Sequence, residues 1–197
     1  MDPVHVVSGT AVPLDRSDVD TDQIIPSDWL KKVERTGFGK GLFSEWRDER
    51  DFVLNKPEHA GATILIAGPN FGTGSSREHA VWALRGAGIT CVIASSYARI
   101  FFRNSLNNGF LSIECPGLAD KAQNQDELEV DLEKGVVRNL TQKTDHPFVA
   151  LTPFVEELLS AGGLLPYIAR KMGKEYKPVT SAPAPDVKVS QITPARG

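Results

Sequence analysis

Residues 63–85 constrain the fold more tightly than any other stretch. The apolar run Thr63-Ile64-Leu65-Ile66-Ala67-Gly68 reads as a buried strand. A glycine-rich turn follows, Asn70-Phe71-Gly72-Thr73-Gly74-Ser75-Ser76-Arg77. Next comes Glu78-His79-Ala80-Val81-Trp82-Ala83-Leu84-Arg85, which reads as a helix ended by Gly86 and Gly88. A second apolar run, Cys91-Val92-Ile93-Ala94, completes a predicted right-handed βαβ unit. Gly72 and Gly74 let the backbone turn sharply and approach a ligand closely.

That turn admits two readings. In the first it is an anion site: free N–H groups at a helix start attract negative charge. Arg77 can clamp a carboxylate through two parallel hydrogen bonds, and a serine beside positive potential can accept a proton or donate a hydrogen bond. A small polycarboxylate and proton transfer fit such a site. In the second reading the turn only packs a helix on a sheet, with Ser75 or Ser76 a plain N-cap near Glu78. The G-x-x-x-x-G-K-[ST] spacing of a P-loop is absent, and Arg77 stands where a dinucleotide-binding turn has its third glycine. A G-x-S-x-G nucleophile elbow is also absent.

Strands are expected at 4–7, 62–67, 91–94 and 110–113, and a second helix at 98–107. Segments 127–131 and 136–140 read as a hairpin, with Gly135 supplying positive φ. Thr152 caps a helix with Pro153 in its first turn, ending at Gly162-Gly163. A short helix over 166–172 follows. Strands outside the βαβ part suggest an α+β layering. With 197 residues the chain suits one domain over 1–173. Residues 174–197, rich in Pro, Ser, Thr, Ala and Lys, read as a disordered tail.

Charge and cysteine usage narrow the function. The net charge is −3 with no basic block, which argues against nucleic acid as a partner. The chain has no long apolar run and no basic-then-apolar N-terminus, so it is expected neither to span a membrane nor to be secreted. Cys91 reads as core and Cys115 precedes a Pro-Gly turn. Two free thiols fit the reducing cytoplasm. Two cysteines without a C-x-x-C cannot by themselves hold a four-thiolate iron–sulfur cluster.

A second motif lies at Asp18-Val19-Asp20-Thr21-Asp22-Gln23-Ile24-Ile25-Pro26. Three aspartates so close could bind a metal through oxygen, although the EF-hand glycine and distal glutamate are missing. They could equally form a solvated acidic turn. Taken with Arg35-Thr36-Gly37-Phe38-Gly39, Asn70-Phe71-Gly72, Gly74-Ser75-Ser76-Arg77-Glu78-His79-Ala80 and Phe101-Phe102-Arg103-Asn104-Ser105-Leu106-Asn107-Asn108-Gly109, the set resembles one family. It is similar to the small subunits of 3-isopropylmalate dehydratase, in the aconitase superfamily. The resemblance runs from about residue 12 to 114, and more weakly to about 172.

The resemblance implies a three-layer β/β/α swivelling domain. It implies that Ser75 is the base that removes the substrate proton, and that Ser76 and Arg77 bind a substrate carboxylate. Asp22 matches an acidic active-site residue that orients or ionises a neighbour; a turn-forming aspartate is the plainer alternative. Arg35 falls in the loop that tunes substrate recognition, or is a surface arginine. Residues 31–41, with three glycines, read as a mobile lid whose Val33 and Phe38 face the substrate's isopropyl group. His79 is expected to brace the helix start rather than bind metal. Asn104, Asn107 and Asn108 are expected to cap and turn the end of the second helix. Trp29, Trp46 and Trp82 read as core or interface. A complete aconitase carries its cluster cysteines in three further domains, none of them present here. The resemblance therefore implies half of a split site, with a [4Fe–4S] cluster on a large iron–sulfur subunit. The implied reaction is the interconversion of 2- and 3-isopropylmalate through 2-isopropylmaleate in leucine biosynthesis. A homoaconitase or methylmalate-type hydro-lyase small subunit, or a non-catalytic carboxylate-binding module, are the alternatives.

Overall fold

The apolar runs become the parallel half of a curled seven-stranded sheet. The structure is a computed structural model that describes residues 6–31 and 37–177. Strands β1 (Val6–Leu14), β2 (Ile64–Ala67), β3 (Cys91–Ala94) and β4 (Leu111–Glu114) pair in parallel. Strands β5 (Glu127–Asp131), β6 (Val136–Asn139) and β7 (Thr144–Pro147) extend it antiparallel, in the order β4-β3-β2-β1-β5-β6-β7. The helices are α1 (Thr21–Ile24), α2 (Glu78–Gly86), α3 (Arg99–Asn107), α4 (Pro116–Ala119), α5 (Pro153–Ala161) and α6 (Leu164–Lys171).

β1 joins the two halves. Its Val6–Thr10 part pairs with β5 and its Ala11–Leu14 part with β2. The strand therefore runs well past the expected 4–7. Gly9 and Pro13 make it look broken, and both have a local reason. A Cβ on Gly9 would stand 2.1 Å from the Thr63 hydroxyl, so only glycine fits. The Ala11 N–H bonds the Asp126 carbonyl on the β5 side. Two residues on, Pro13 points its nitrogen to that same side, beyond the start of β5, where no ladder donor is needed.

The pleat sorts apolar side chains into two cores. Val12, Leu65, Ala67, Val92 and Ala94 face the helix layer, with Val81, Leu84 and Phe101. Ala11, Ile64, Ile66, Cys91 and Ile93 face the antiparallel strands, with Leu128, Val130 and Val137. Strands β2 and β3 are buried on both faces, which is why they read as unbroken apolar runs. The layers are helix, parallel strands and antiparallel strands, the expected β/β/α arrangement. β7 was not foreseen: Thr144, Asp145 and Pro147 are exposed and only His146 faces in, the polar composition of an edge strand. α4 takes the place of the expected turn after Cys115.

The hairpin β5–β6 forms as expected, with Gly135 at φ +63°. Thr152 accepts from the Val155 N–H at the start of α5, and Gly162 ends that helix at φ +86°. α6 starts at Leu164, two residues earlier than expected. Residues 174–177 carry no regular structure; the rest of the expected tail lies outside the described residues. Among the described residues no helix is long and apolar enough to cross a membrane.

Part of the expected lid, Phe38–Gly41, packs on the end of α2. It is a 3-10 turn, with Phe38 and Gly41 buried and Gly37 and Lys40 exposed. A Cβ on Gly39 would stand 2.2 Å from the Gly86 carbonyl oxygen, so two glycines let this turn cross the end of α2 in backbone contact. Phe38 is buried against His79 and Trp82, at ring distances of 5.4 and 5.8 Å. The lid residues 32–36, Val33 and Arg35 among them, lie outside the described residues.

His59 carries a pH signature. It is 5 % exposed, in the 3-10 turn Pro57–His59, and neither ring nitrogen has a hydrogen-bond partner. Burial lowers its pKa below the ordinary histidine value of 6.5. Above that value the ring is neutral folded or unfolded, and stability is unaffected. As pH falls below it, the unfolded chain takes up a proton that the folded chain refuses, so stability is lost until the folded pKa is passed. The urea midpoint should therefore decline from about pH 6.5 downward. His59→Phe should remove part of that decline; an unchanged pH profile in the variant would show that His59 is not its source.

Candidate active site

The site is built where the two motifs meet at the carboxyl ends of β1 and β2. After β2 the chain reaches Asn70, whose φ of +59° is left-handed. The Asn70 N–H donates to the Ser96 hydroxyl (2.8 Å) and its side-chain amide donates to Asp18 (2.8 Å). Phe71 is buried edge-on to Phe101 (5.2 Å) and Tyr97 (6.2 Å). Burial raises the Tyr97 phenol well above its ordinary pKa, so it stays a donor, to the Val92 carbonyl at 2.7 Å. This aromatic group anchors the turn on α3.

Gly72 and Gly74 do different work. Gly72 has φ +83°, and a Cβ there would lie 2.2 Å from the Phe101 ring. Gly74 has φ +89°, with its nearest neighbour, the Thr21 hydroxyl, 3.3 Å from a built Cβ.

The first motif closes on this turn. The Gly72 and Thr73 N–H groups both donate to the Val19 carbonyl, at 2.7 and 3.2 Å. The Thr21 N–H donates to the Thr73 carbonyl (2.8 Å), and the Thr21 hydroxyl to the Ser75 carbonyl (3.0 Å). The three aspartates are spent separately. Asp18 accepts from Asn70, and Asp20 caps α1 in a capping box with Gln23. Asp22 pairs with Arg77, 55 residues away in sequence. Among the described residues no group of three or more His, Cys, Asp and Glu could hold an ion.

Ser75 and Ser76 are not helix caps. Arg77 occupies the N-cap position of α2, with extended backbone and no side-chain cap. The serines precede it, exposed, in the turn. The Arg77 side chain is 18 % exposed and that of Asp22 57 % exposed, so the pair is wet on the aspartate side. Ser76 Oγ accepts from the Asn104 amide at 3.1 Å. Asn104 therefore belongs to the site and not only to the end of α3, whereas Asn108 takes the C-cap and accepts from Trp82. The missed signal was spacing: Asn104 lies one turn from Phe101, on the face of α3 that meets Gly72. His79 sits edge-on to Phe38 and Trp82, bracing the first turn of α2. Arg35 lies outside the described residues.

The cysteines do not fit an iron–sulfur cluster. Cys91 lies in β3 and Cys115 at the start of α4, and burial raises both thiols, whereas a cluster takes thiolates, typically four. A cavity of about 740 Å³ opens between the β1–α1 loop and residues 119–124, lined by Arg16, Ser17, Gly68 and Gln123. Ser75, Ser76 and Arg77 do not line it. Ser75 and Ser76 are exposed outside it.

Gly72→Ala should be among the most damaging substitutions in the turn. Left-handed backbone costs a side chain about 1–2 kcal/mol, and forcing a methyl into the Phe101 ring adds roughly 1–3 kcal/mol. Gly74→Ala should cost only the first amount. Urea denaturation of the two variants checks the order; equal losses would show that the Phe101 contact yields freely.

Comparison with known proteins agrees with this architecture. The family described as "Aconitase C-terminal domain" matches residues 1–118. The 3-isopropylmalate dehydratase small subunit of Parafrankia sp. (strain EAN1pec) is 55% identical over 149 residues, 72% of this chain and 76% of the relative. That of Rubrobacter xylanophilus is 64% identical over 116 residues, 59% of this chain and 60% of the relative. A crystal structure of 3-isopropylmalate dehydratase (leuD) from Methanocaldococcus jannaschii superposes with a TM-score of 0.73 at 33% identity, covering 85% of this chain and 95% of that one. A family match over more than half of the sequence and a relative aligned over most of its own length lead to one conclusion: the chain belongs to the small subunits of 3-isopropylmalate dehydratase, in the aconitase superfamily.

Proposed function

We propose that the chain is the small-subunit half of a hydro-lyase that interconverts 2-isopropylmalate and 3-isopropylmalate, by dehydration to 2-isopropylmaleate and rehydration, in leucine biosynthesis. The observation that carries the site assignment is the Asp22–Arg77 ion pair beside two serines that no helix cap consumes. Arg77 has five N–H donors in a rigid fork; Asp22 holds one edge and leaves the others for a substrate carboxylate. Ser76 offers a second donor to that carboxylate. Ser75 takes the carbon-bound proton in dehydration and returns it in rehydration. Its hydroxyl is a weak base in water, and the Arg77 charge with the α2 N-terminus favours its ionised form. Asp22 orients Arg77. Arg35 is assigned to substrate recognition.

A separate large subunit completes the site in this reading. We assign the [4Fe–4S] cluster to that subunit, where an iron ion supplies Lewis acidity. This chain's own part is to bind, orient and move a proton. We place the reaction in the cytoplasm, where two unpaired thiols persist.

The purified chain alone should show no hydro-lyase activity, and adding an anaerobically reconstituted large subunit should restore it. In that complex Ser75→Ala should lower kcat about 10²–10⁴-fold without loss of assembly. Turnover within a few-fold of wild type would refute Ser75 as the base.

Arg77→Lys tests the carboxylate clamp. A point charge cannot hold Asp22 and a planar carboxylate together. Hydrogen bonds to charged groups contribute roughly 1.5–3 kcal/mol each, so kcat/KM for 3-isopropylmalate should fall about 10–100-fold. An unchanged value would reduce Arg77 to a structural partner of Asp22.

A further inference from the structure

We infer that Asn104 is a positioning residue for substrate binding: its side-chain amide holds the Ser76 oxygen as an acceptor and so turns the Ser76 proton outward, toward a substrate carboxylate. The inference rests on the proposed role of Ser76 as a carboxylate donor.

The geometry begins with α3, a helix fixed at both ends relative to the site. At its start Phe101, 1 % exposed, packs on Phe71 and against the open side of Gly72. At its end the Asn104 carbonyl accepts from the Asn108 N–H (3.0 Å) and from the Asn108 side-chain amide (2.8 Å). Asn108 is held in turn by Trp82 and Arg85 of α2, the Arg85 guanidinium donating to its carbonyl at 2.7 Å. The backbone of Asn104 is thereby locked to both helices that flank the turn. A side chain carried on such an element places its polar atoms more closely than one carried on a loop.

The hydrogen bond itself has a direction with a chemical consequence. Asn104 Nδ2 donates to Ser76 Oγ at 3.1 Å. A serine hydroxyl has one proton and two lone pairs. With one lone pair engaged by Asn104, the proton is left for an outside acceptor. Ser76 is exposed, so that acceptor comes from outside the chain. Were the partner an acceptor instead, the proton would be consumed within the protein. The two anchors of the serine pair also act separately. Ser75 is held through its backbone by Thr21, and Ser76 through its hydroxyl by Asn104. Loss of Asn104 should therefore weaken substrate binding and leave the proton-transfer step of Ser75 nearly intact.

The test is steady-state kinetics of the assembled two-subunit enzyme with 3-isopropylmalate. Asn104→Ala keeps a strong helix former in α3 and should raise KM about 3–10-fold, the range of one ordinary hydrogen bond, with kcat within twofold. Asn104→Asp keeps the shape but replaces the donor by a charged acceptor. It should capture the Ser76 proton and repel the incoming carboxylate, raising KM beyond the alanine variant. A purely structural asparagine predicts the reverse order, with the near-isosteric aspartate the milder change. The double variant Ser76→Ala/Asn104→Ala should be no worse than Ser76→Ala alone, because both remove the same donor. If Ser76→Ala raises KM and Asn104→Ala does not, the inference is overturned and the reading of Ser76 stands. If Ser76→Ala leaves KM unchanged, the reading of Ser76 fails and the role given to Asn104 falls with it. If Asn104→Ala impairs assembly, Asn104→Asp decides: KM raised in an assembled complex supports the inference, and an unchanged KM overturns it.

Discussion

The Val19 carbonyl is the contact on which the site depends. It accepts from two successive N–H groups, Gly72 and Thr73, and so ties the loop after β1 to the turn after β2. The Val19 side chain is 1 % exposed in the helix-side core, so this carbonyl is pinned by packing before it meets its donors. A buried carbonyl left without partners costs about 1–3 kcal/mol, which fixes the turn where both N–H groups can reach. That approach is possible only because Gly72 has no Cβ to strike Phe101. From this one contact the rest follows in register. Thr21 meets Thr73 and Ser75, Asp22 meets Arg77, and the serine pair is presented on the surface.

What was legible in the sequence follows the same physics. β2 and β3 announced themselves because both of their faces are buried, leaving no polar residue to blur the pattern. Gly135 and Gly162 marked a hairpin and a helix end because the backbone there is left-handed. β1 was read too short because glycine and proline have two meanings. As isolated letters they signal a break; here Gly9 permits close packing on Thr63, and Pro13 lies where its missing N–H is not needed. The glycines of 37–41 are ambiguous in the same way. They suggested motion, yet Gly39 is small because it crosses α2 in backbone contact with Gly86. β7 escaped notice because an edge strand of polar residues has no periodic apolar signal.

The candidate site was legible in its residues and not in its connections. Ser75, Ser76, Arg77 and Asp22 stand out through a motif set. The pairing of Asp22 with Arg77 spans 55 positions, which no local pattern reveals. The serines looked like ordinary caps because they stand just before a helix, where caps stand. Only the extended backbone of Arg77, which takes the cap position itself, shows that they are not caps. Asn104 looked like a helix-end asparagine for the same reason, since its neighbour Asn108 is one.

The proposed serine base, exposed as it is, poses an electrostatic problem that the chain cannot solve alone. In water a serine hydroxyl holds its proton far too firmly to act as a base, and the Asp22 carboxylate, more than half exposed, offsets part of the Arg77 charge that could help. Removing water strengthens every interaction at the site, because the effective dielectric constant falls. A covering surface that buries Asp22 and Arg77 together with a substrate carboxylate changes the balance. The guanidinium then faces two anions in a low-dielectric space, and its remaining field is focused on the atoms beside it, Ser75 among them. The exposure of the serines thus fits the proposed two-part enzyme, in which the small subunit orients the proposed proton-transfer groups and the cover that its proposed partner provides makes them reactive.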